Sequence, residues 1–290
     1  MSLIPSAFPL SSVPRQTQPR LRVVASTSGK GGVGKTTVTC NLAVLAGRAG
    51  QRILMVDADL GLANVEILFG VRPRHHLGDL LDEKIDIHDI LCNGPEGIKI
   101  LSAGSGLQHL TKLEEEQKQR LIGLLDPLEN DFDVIFLDTG AGIGDNVLFF
   151  AGAAQEVLLV VSAEPTSLTD AYATVKVLSQ QAHVRTFHVV VNPVANESAA
   201  RDIFQKLTAV TTRFLEANVN YLGFIPRDEA VHRAVMAQKP VVEMFPHCPA
   251  AQHLELLHTR LFNRRAPPPL EGGLKFLWQR VLRESTLPPG

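Results

Sequence analysis

The chain has 290 residues, 45% of them hydrophobic and 20% charged, which suits one large α/β domain. A net charge of −2 gives no bulk attraction to nucleic acid or anionic lipid, so any such contact must come from a local patch. Its three cysteines, Cys40, Cys92 and Cys248, lie far apart, with no zinc spacing and no disulfide framework; this fits a reducing cytoplasm.

Residues 1–20 hold Pro5, Pro9, Pro14 and Pro19 among serines and glutamines and read as a disordered arm. They do not read as a secretory signal: no Lys or Arg precedes the mildly apolar Leu3 to Leu10, and prolines interrupt it. From residue 21 to 265 strand-like and helical patterns alternate. Apolar runs end at Thr27, Asp57, Ser102, Asp138, Val161, Asn192 and Ile225. Helical patterns cover Thr36 to Ala49, Glu114 to Leu128 and Leu168 to Gln181. Continuous apolar strands separated by helices predict a mostly parallel sheet covered on both faces, a three-layer α/β fold. None of the runs is long enough to cross a bilayer. A Pro/Gly linker follows at 266–273, and a last helix and tail at 274–290. In that helix Leu274, Leu277, Trp278, Val281 and Leu282 make one apolar stripe opposite Lys275, Gln279 and Arg283, with Phe276 on the polar side. A basic amphipathic helix with a tryptophan suggests a membrane-surface anchor, and a helix docked on its own domain is the plainer alternative.

The chemistry centres on Gly29-Lys30-Gly31-Gly32-Val33-Gly34-Lys35-Thr36-Thr37, which fits G-x-x-x-x-G-K-[ST]. Glycines let the backbone curl so that its N–H groups face phosphate oxygens. Lys35 reaches the β- and γ-phosphates, and the Thr36 hydroxyl is placed to ligate Mg²⁺. Arg22 to Thr27 before it reads as a strand and Thr36 onward as a helix, so a helix N-terminus meets the phosphates. Lys30 is a second lysine that an ordinary phosphate loop does not need. Asp57 and Asp138 each close an apolar strand, where ligands of open α/β sheets bind. Mg²⁺ held mostly through water accounts for both carboxylates, and a helix N-cap is the plainer reading of either alone. His75, His76, His247, His253 and His258 form no metal spacing, and Glu114 to Glu116 read as a solvated first helical turn.

K-G-G-V-G-K-T-T resembles the deviant Walker A loop of the MinD/ParA ATPases, which implies a P-loop NTPase fold, ATP and Mg²⁺. In that family the first lysine, here Lys30, crosses a dimer interface to the partner's ATP and neutralises transition-state charge. Asp57-Ala58-Asp59-Leu60-Gly61 is similar to the family's switch I, and Asp138-Thr139-Gly140-Ala141-Gly142 to its switch II, with Gly140 in place of the usual proline. That exchange loosens the switch backbone. Carried over, Asp59 orients the attacking water, while Asp57 and Asp138 hold hydrated magnesium. Asn192 matches the adenine-reading asparagine, and Pro226, Arg227 and Asp228 match the segment that lines the base.

Three longer stretches, Asp57 to Pro73, Glu164 to Ala173 and Phe224 to Val235, resemble the FlhG (FleN) group, MinD-like ATPases that limit flagellar number or position. The resemblance implies an ATP-dependent homodimer; the C-terminal helix suggests that it sits at the inner face of the cell membrane, and the −2 charge argues against direct contact with nucleic acid. It also implies partners: the signal-recognition-type GTPase FlhF and, in some bacteria, the flagellar activator FleQ. It does not extend to the group's GTPase-stimulating D-Q-A-x-x-L-R, whose place here reads Gln16-Thr17-Gln18-Pro19-Arg20-Leu21-Arg22. The competing readings are a ParA-type DNA-partitioning ATPase, which needs a basic surface, a reductase-type iron–sulfur relative, which needs axial cysteines, and a scaffold that binds nucleotide without hydrolysis.

Overall fold

The computed structural model describes residues 21–60, 64–82, 85–104 and 113–264. The N-terminal arm, the linker and the amphipathic helix with its apolar stripe lie outside the described residues. The first half runs β1 (Arg22–Ser28), α1 (Lys35–Arg48), β2 (Ile53–Ala58), α2 (Val65–Leu68), α3 (Leu77–Leu81), α4 (Ile87–Ile90), β3 (Cys92–Asn93), β4 (Lys99–Leu101) and α5 (Glu115–Leu125). The second half runs β5 (Val134–Ala141), α6 (Asp145–Gly152), β6 (Glu156–Val161), α7 (Pro165–Gln181), β7 (Thr186–Val194), α8 (Glu197–Phe214), β8 (Asn218–Pro226), α9 (Glu229–Met236), α10 (Val241–Met244) and α11 (Pro249–Phe262).

The strands form one sheet in the order β3-β4-β2-β5-β1-β6-β7-β8. All neighbours are parallel except β3 and β4. Both faces are buried, which is why the strands are continuously apolar rather than alternating. In β6, Val157, Leu159 and Val161 face the core shared with Leu121 of α5, Phe149 of α6 and Val175 of α7. Leu158 and Val160 face the opposite core, with Val38 and Leu42 of α1 and Leu254 of α11. The seven apolar runs correspond to β1, β2, β4, β5, β6, β7 and β8. The eighth, β3, is two residues long and antiparallel at the sheet edge, too short to leave a pattern in the sequence.

A buried ionic cluster sits at the foot of the sheet, near the amino ends of the parallel strands. The Arg22 guanidinium donates to Glu156 Oε2 from Nε at 3.0 Å and from Nη2 at 2.5 Å. His188 Nε2 lies 3.6 Å from the same oxygen. Arg264, just beyond α11, donates to His188 Nδ1 and to the Tyr221 carbonyl, both at 3.3 Å. An arginine cannot accept, so His188 Nδ1 is the acceptor and the ring proton sits on Nε2, facing Glu156. Arg22 also lies over the Phe262 ring at 5.0 Å. Burial opposes the Glu156 charge, but His188 and Arg22 outweigh it and hold the carboxyl below its ordinary range.

Candidate nucleotide site

The glycine-rich loop leaves the carboxyl end of β1, the central strand where the order of strands reverses. In parallel α/β sheets this is where ligands bind. Gly34 caps α1 at φ +83°, a left-handed conformation that a Cβ resists, and a Cβ there would collide with the Asn192 side chain. Gly29 plays another part: a Cβ on it would overlap the backbone of Asp170 and Ala171 in α7, so the loop rests flush on that helix.

Beside the loop lies a cavity of about 330 Å³, lined among others by Gly31, Gly32, Lys35, Thr36, Asp59 and Ala141. Lys35 reaches beneath it, its ammonium 2.9 Å from Asp138 Oδ1, with both side chains nearly buried. The other Asp138 oxygen is buried and has no hydrogen-bond partner among the described residues. Asp57 stands next to Asp138 on the neighbouring strand, in register with it. Burial first, and then the Asp138 charge, push the Asp57 carboxyl up to about 7 against the pull of three backbone donors. Those donors are the N–H groups of Asp59 at 3.2 Å, Asn64 at 2.8 Å and Val65 at 3.0 Å.

Magnesium takes oxygen ligands and keeps several waters, so it seldom sits in a closed protein cage. The unsatisfied Asp138 oxygen, buried behind Lys35, and the Thr36 hydroxyl on the cavity lining are hard oxygen donors, and they fit such an ion. Among the described residues no group of three His, Cys, Asp or Glu side chains forms a cage of its own.

Lys30 stays outside the cavity lining. Its ammonium contacts Glu164, the residue before α7, at 2.5 Å, and both side chains are largely exposed. On the other side of the loop a smaller slot of about 50 Å³ is lined by Thr37, Asn192, Ile225, Val231, Val241 and Leu254, with Gly34 and Val38. Asn192 Nδ2 donates to the Val33 carbonyl at 2.8 Å. The asparagine is thus a strut for the loop, with its carbonyl oxygen left for a ligand in the slot. Pro226 and Arg227 follow Ile225 but do not line the slot. Asp228 holds two helices together, accepting from Ala230 N at the start of α9 and from Ala250 N at the start of α11. The Asn192 strut and the three-donor grip of Asp57 escaped sequence reasoning. The strut spans 159 positions in sequence, and the grip reads locally as any N-cap. Gly140 has room for a side chain, since a Cβ would meet Asp59 and Val147 only at ordinary contact distances.

A left-handed glycine opening a buried helix at the central strand, with a buried lysine–aspartate pair beneath it, defines a phosphate-loop nucleotide-binding protein. Residues 24–241 match the model of the CobQ/CobB/MinD/ParA nucleotide binding domain, and the chain belongs to this family. Antiactivator FleN of Pseudomonas aeruginosa is 41% identical over 263 residues, 91% of this chain and 94% of that protein. Flagellum site-determining protein YlxH of Helicobacter pylori is 30% identical over 275 residues, 90% of each chain. The septum site-determining protein MinD of Pyrococcus horikoshii, solved in complex with Mg-ADP, superposes with a TM-score of 0.70 at 26% identity, covering 83% of this chain and 96% of that one.

Proposed function

We propose that this protein is an ATP-driven switch that regulates the number or placement of bacterial flagella, dimerising on ATP and separating after hydrolysis. The observation that carries the reading is the cavity shared by the phosphate loop and Asp59, in a chain 41% identical to Antiactivator FleN and 30% identical to Flagellum site-determining protein YlxH. Lys35 neutralises the β- and γ-phosphates, and the loop N–H groups hold their oxygens. Thr36 and Asp138 hold the magnesium, which supplies positive charge at the same phosphates. Asp59 orients the attacking water. Lys30 is an exposed cation at the mouth of the site and is free to reach the nucleotide of a second copy once it leaves Glu164. Asp59→Ala protein is expected to bind ATP and dimerise but to release phosphate about 10²-fold more slowly. Adding Lys30→Ala abolishes the dimer, read by light scattering. Wild-type phosphate release from Asp59→Ala, or a normal dimer from the double variant, overturns the assignment.

Asn192 carries the preference for adenine. Its carbonyl accepts from the adenine amino group, where guanine offers an acceptor instead. Titration is expected to show tighter binding of ATP than of GTP. Asn192→Ala narrows the gap and, by removing the strut to Val33, weakens both. Equal affinities in the wild type refute base reading.

No described helix is long and apolar enough to cross a membrane. Membrane residence falls to the segment Leu274 to Glu284, whose sequence carries an apolar stripe and basic residues that suit an anionic surface. One copy binds marginally, and two on a dimer gain about 10²-fold in avidity. Asp59→Ala protein is expected to pellet with anionic liposomes in ATP, and Trp278→Glu to prevent it. Unchanged pelleting of the Trp278→Glu variant shows that the segment is not the anchor. FlhF-type GTPases and the FleQ activator are the partners this reading implies.

A further inference from the structure

Asp57 was expected to hold magnesium, yet its carboxylate is turned to the backbone. One oxygen accepts from Asn64 N at 2.8 Å and Val65 N at 3.0 Å, and the other from Asp59 N at 3.2 Å. Three of the roughly four acceptor positions on a carboxylate are taken. Asp57 is 1% exposed, and unlike Asp138, which keeps one oxygen unbonded, it has both oxygens engaged by backbone N–H groups. The three donors belong to the two ends of switch I. Asp59 lies two residues after Asp57, and Asn64 and Val65 lie at the start of α2. Glu66, the next residue, bonds to the Ser102 hydroxyl beyond β4, which ties the same turn to the sheet from another side.

We propose that Asp57 is a positioning residue that grips both ends of switch I and so fixes Asp59 at the cavity, rather than a ligand of the metal. Only a buried acceptor with two oxygens bonds N–H groups on both sides of the segment at once. A displacement of about 1 Å at such a group costs about 10²-fold in rate. The inference rests on the reading of Asp59 as the water-orienting group. Its structural half, the grip itself, is measurable without hydrolysis.

The experiment compares Asp57→Ala, Asp57→Asn and wild type in the full chain. Amide hydrogen exchange at Asn64 and Val65 is read without nucleotide, and kcat, the KM for ATP and the half-saturating Mg²⁺ concentration are read in turnover. In Asp57→Ala, exchange at both amides is expected to rise at least tenfold and kcat to fall about 10²-fold, with KM and the Mg²⁺ requirement unchanged. Asp57→Asn keeps one oxygen for Asn64 and Val65, so it retains slow exchange there, but it turns an N–H donor toward Asp59 N and recovers kcat only in part. A higher Mg²⁺ requirement in both variants shows a metal ligand and overturns the proposal, as does unchanged exchange in Asp57→Ala. If wild type itself releases no phosphate, the reading of Asp59 fails while the exchange result still decides the grip.

Discussion

Replacing Lys35 with methionine is expected to abolish ATP binding and to weaken the fold. Methionine keeps the length of the side chain and removes its charge. Two charge-assisted hydrogen bonds to phosphate are worth about 1.5–3 kcal/mol each, so affinity falls about 10²- to 10⁴-fold. The second effect comes from beneath the loop. Lys35 is the partner 2.9 Å from Asp138, whose side chain is 1% exposed and stands next to Asp57. Removing one member of a buried pair strands the other, at a cost of about 3–5 kcal/mol. The companion variant Lys35→Met/Asp138→Asn therefore regains most of the stability and none of the binding. Calorimetric titration with ATP and urea unfolding separate the two effects. Normal ATP affinity in Lys35→Met would refute the phosphate-loop assignment.

The foot of the sheet is expected to be the most sensitive point outside the nucleotide site. Glu156→Gln leaves the Arg22 guanidinium buried without a counter-charge and faces His188 with a neutral amide. The expected loss is about 3–5 kcal/mol in urea unfolding at pH 7. Arg22→Met/Glu156→Leu, which removes both charges and keeps the volume, is expected to lose much less. The pH dependence follows from the depressed Glu156 carboxyl. Its contribution is complete above the ordinary glutamate value of 4.5 and is lost as the pH falls through the lower, folded value. Wild-type stability should therefore decline below about pH 4.5 with a limb that Glu156→Gln lacks. Parallel decline in the two proteins would remove Glu156 from the acid response.

What the sequence disclosed and what it hid divide along distance in the chain. The phosphate loop is contiguous, and its strand and helix lie directly beside it, so residues 22 to 49 were legible as a unit. The same holds for Asp57 and Asp138, each announced by the apolar strand that it closes. Pairings between distant positions left no such mark. Arg22 reads as the first residue of a strand, and nothing in its neighbourhood points to Glu156, 134 positions away. Asn192 was legible as a base reader only through resemblance, and its bond to Val33 only from coordinates. Lys30 stood out as superfluous, but its contact with Glu164 requires α7 to lie against the loop, which Gly29 allows.

The course of α11 sets how far Arg264, the last described residue, stands from the slot. Its first turn is tied to Asp228 beside the slot, and the residue after its last turn, Arg264, to His188 and Tyr221 at the opposite edge. Its 14 residues at 1.5 Å each span about 21 Å. Direct touch between a nucleotide and the point where the tail departs is therefore ruled out. What connects them is a lever. A tilt of about 5° at the Asp228 end displaces the Arg264 end by about 2 Å over that length, enough to break the 3.3 Å bonds that hold it. Any movement of α11 at the slot would therefore be felt first at the contacts of Arg264 with His188 and Tyr221.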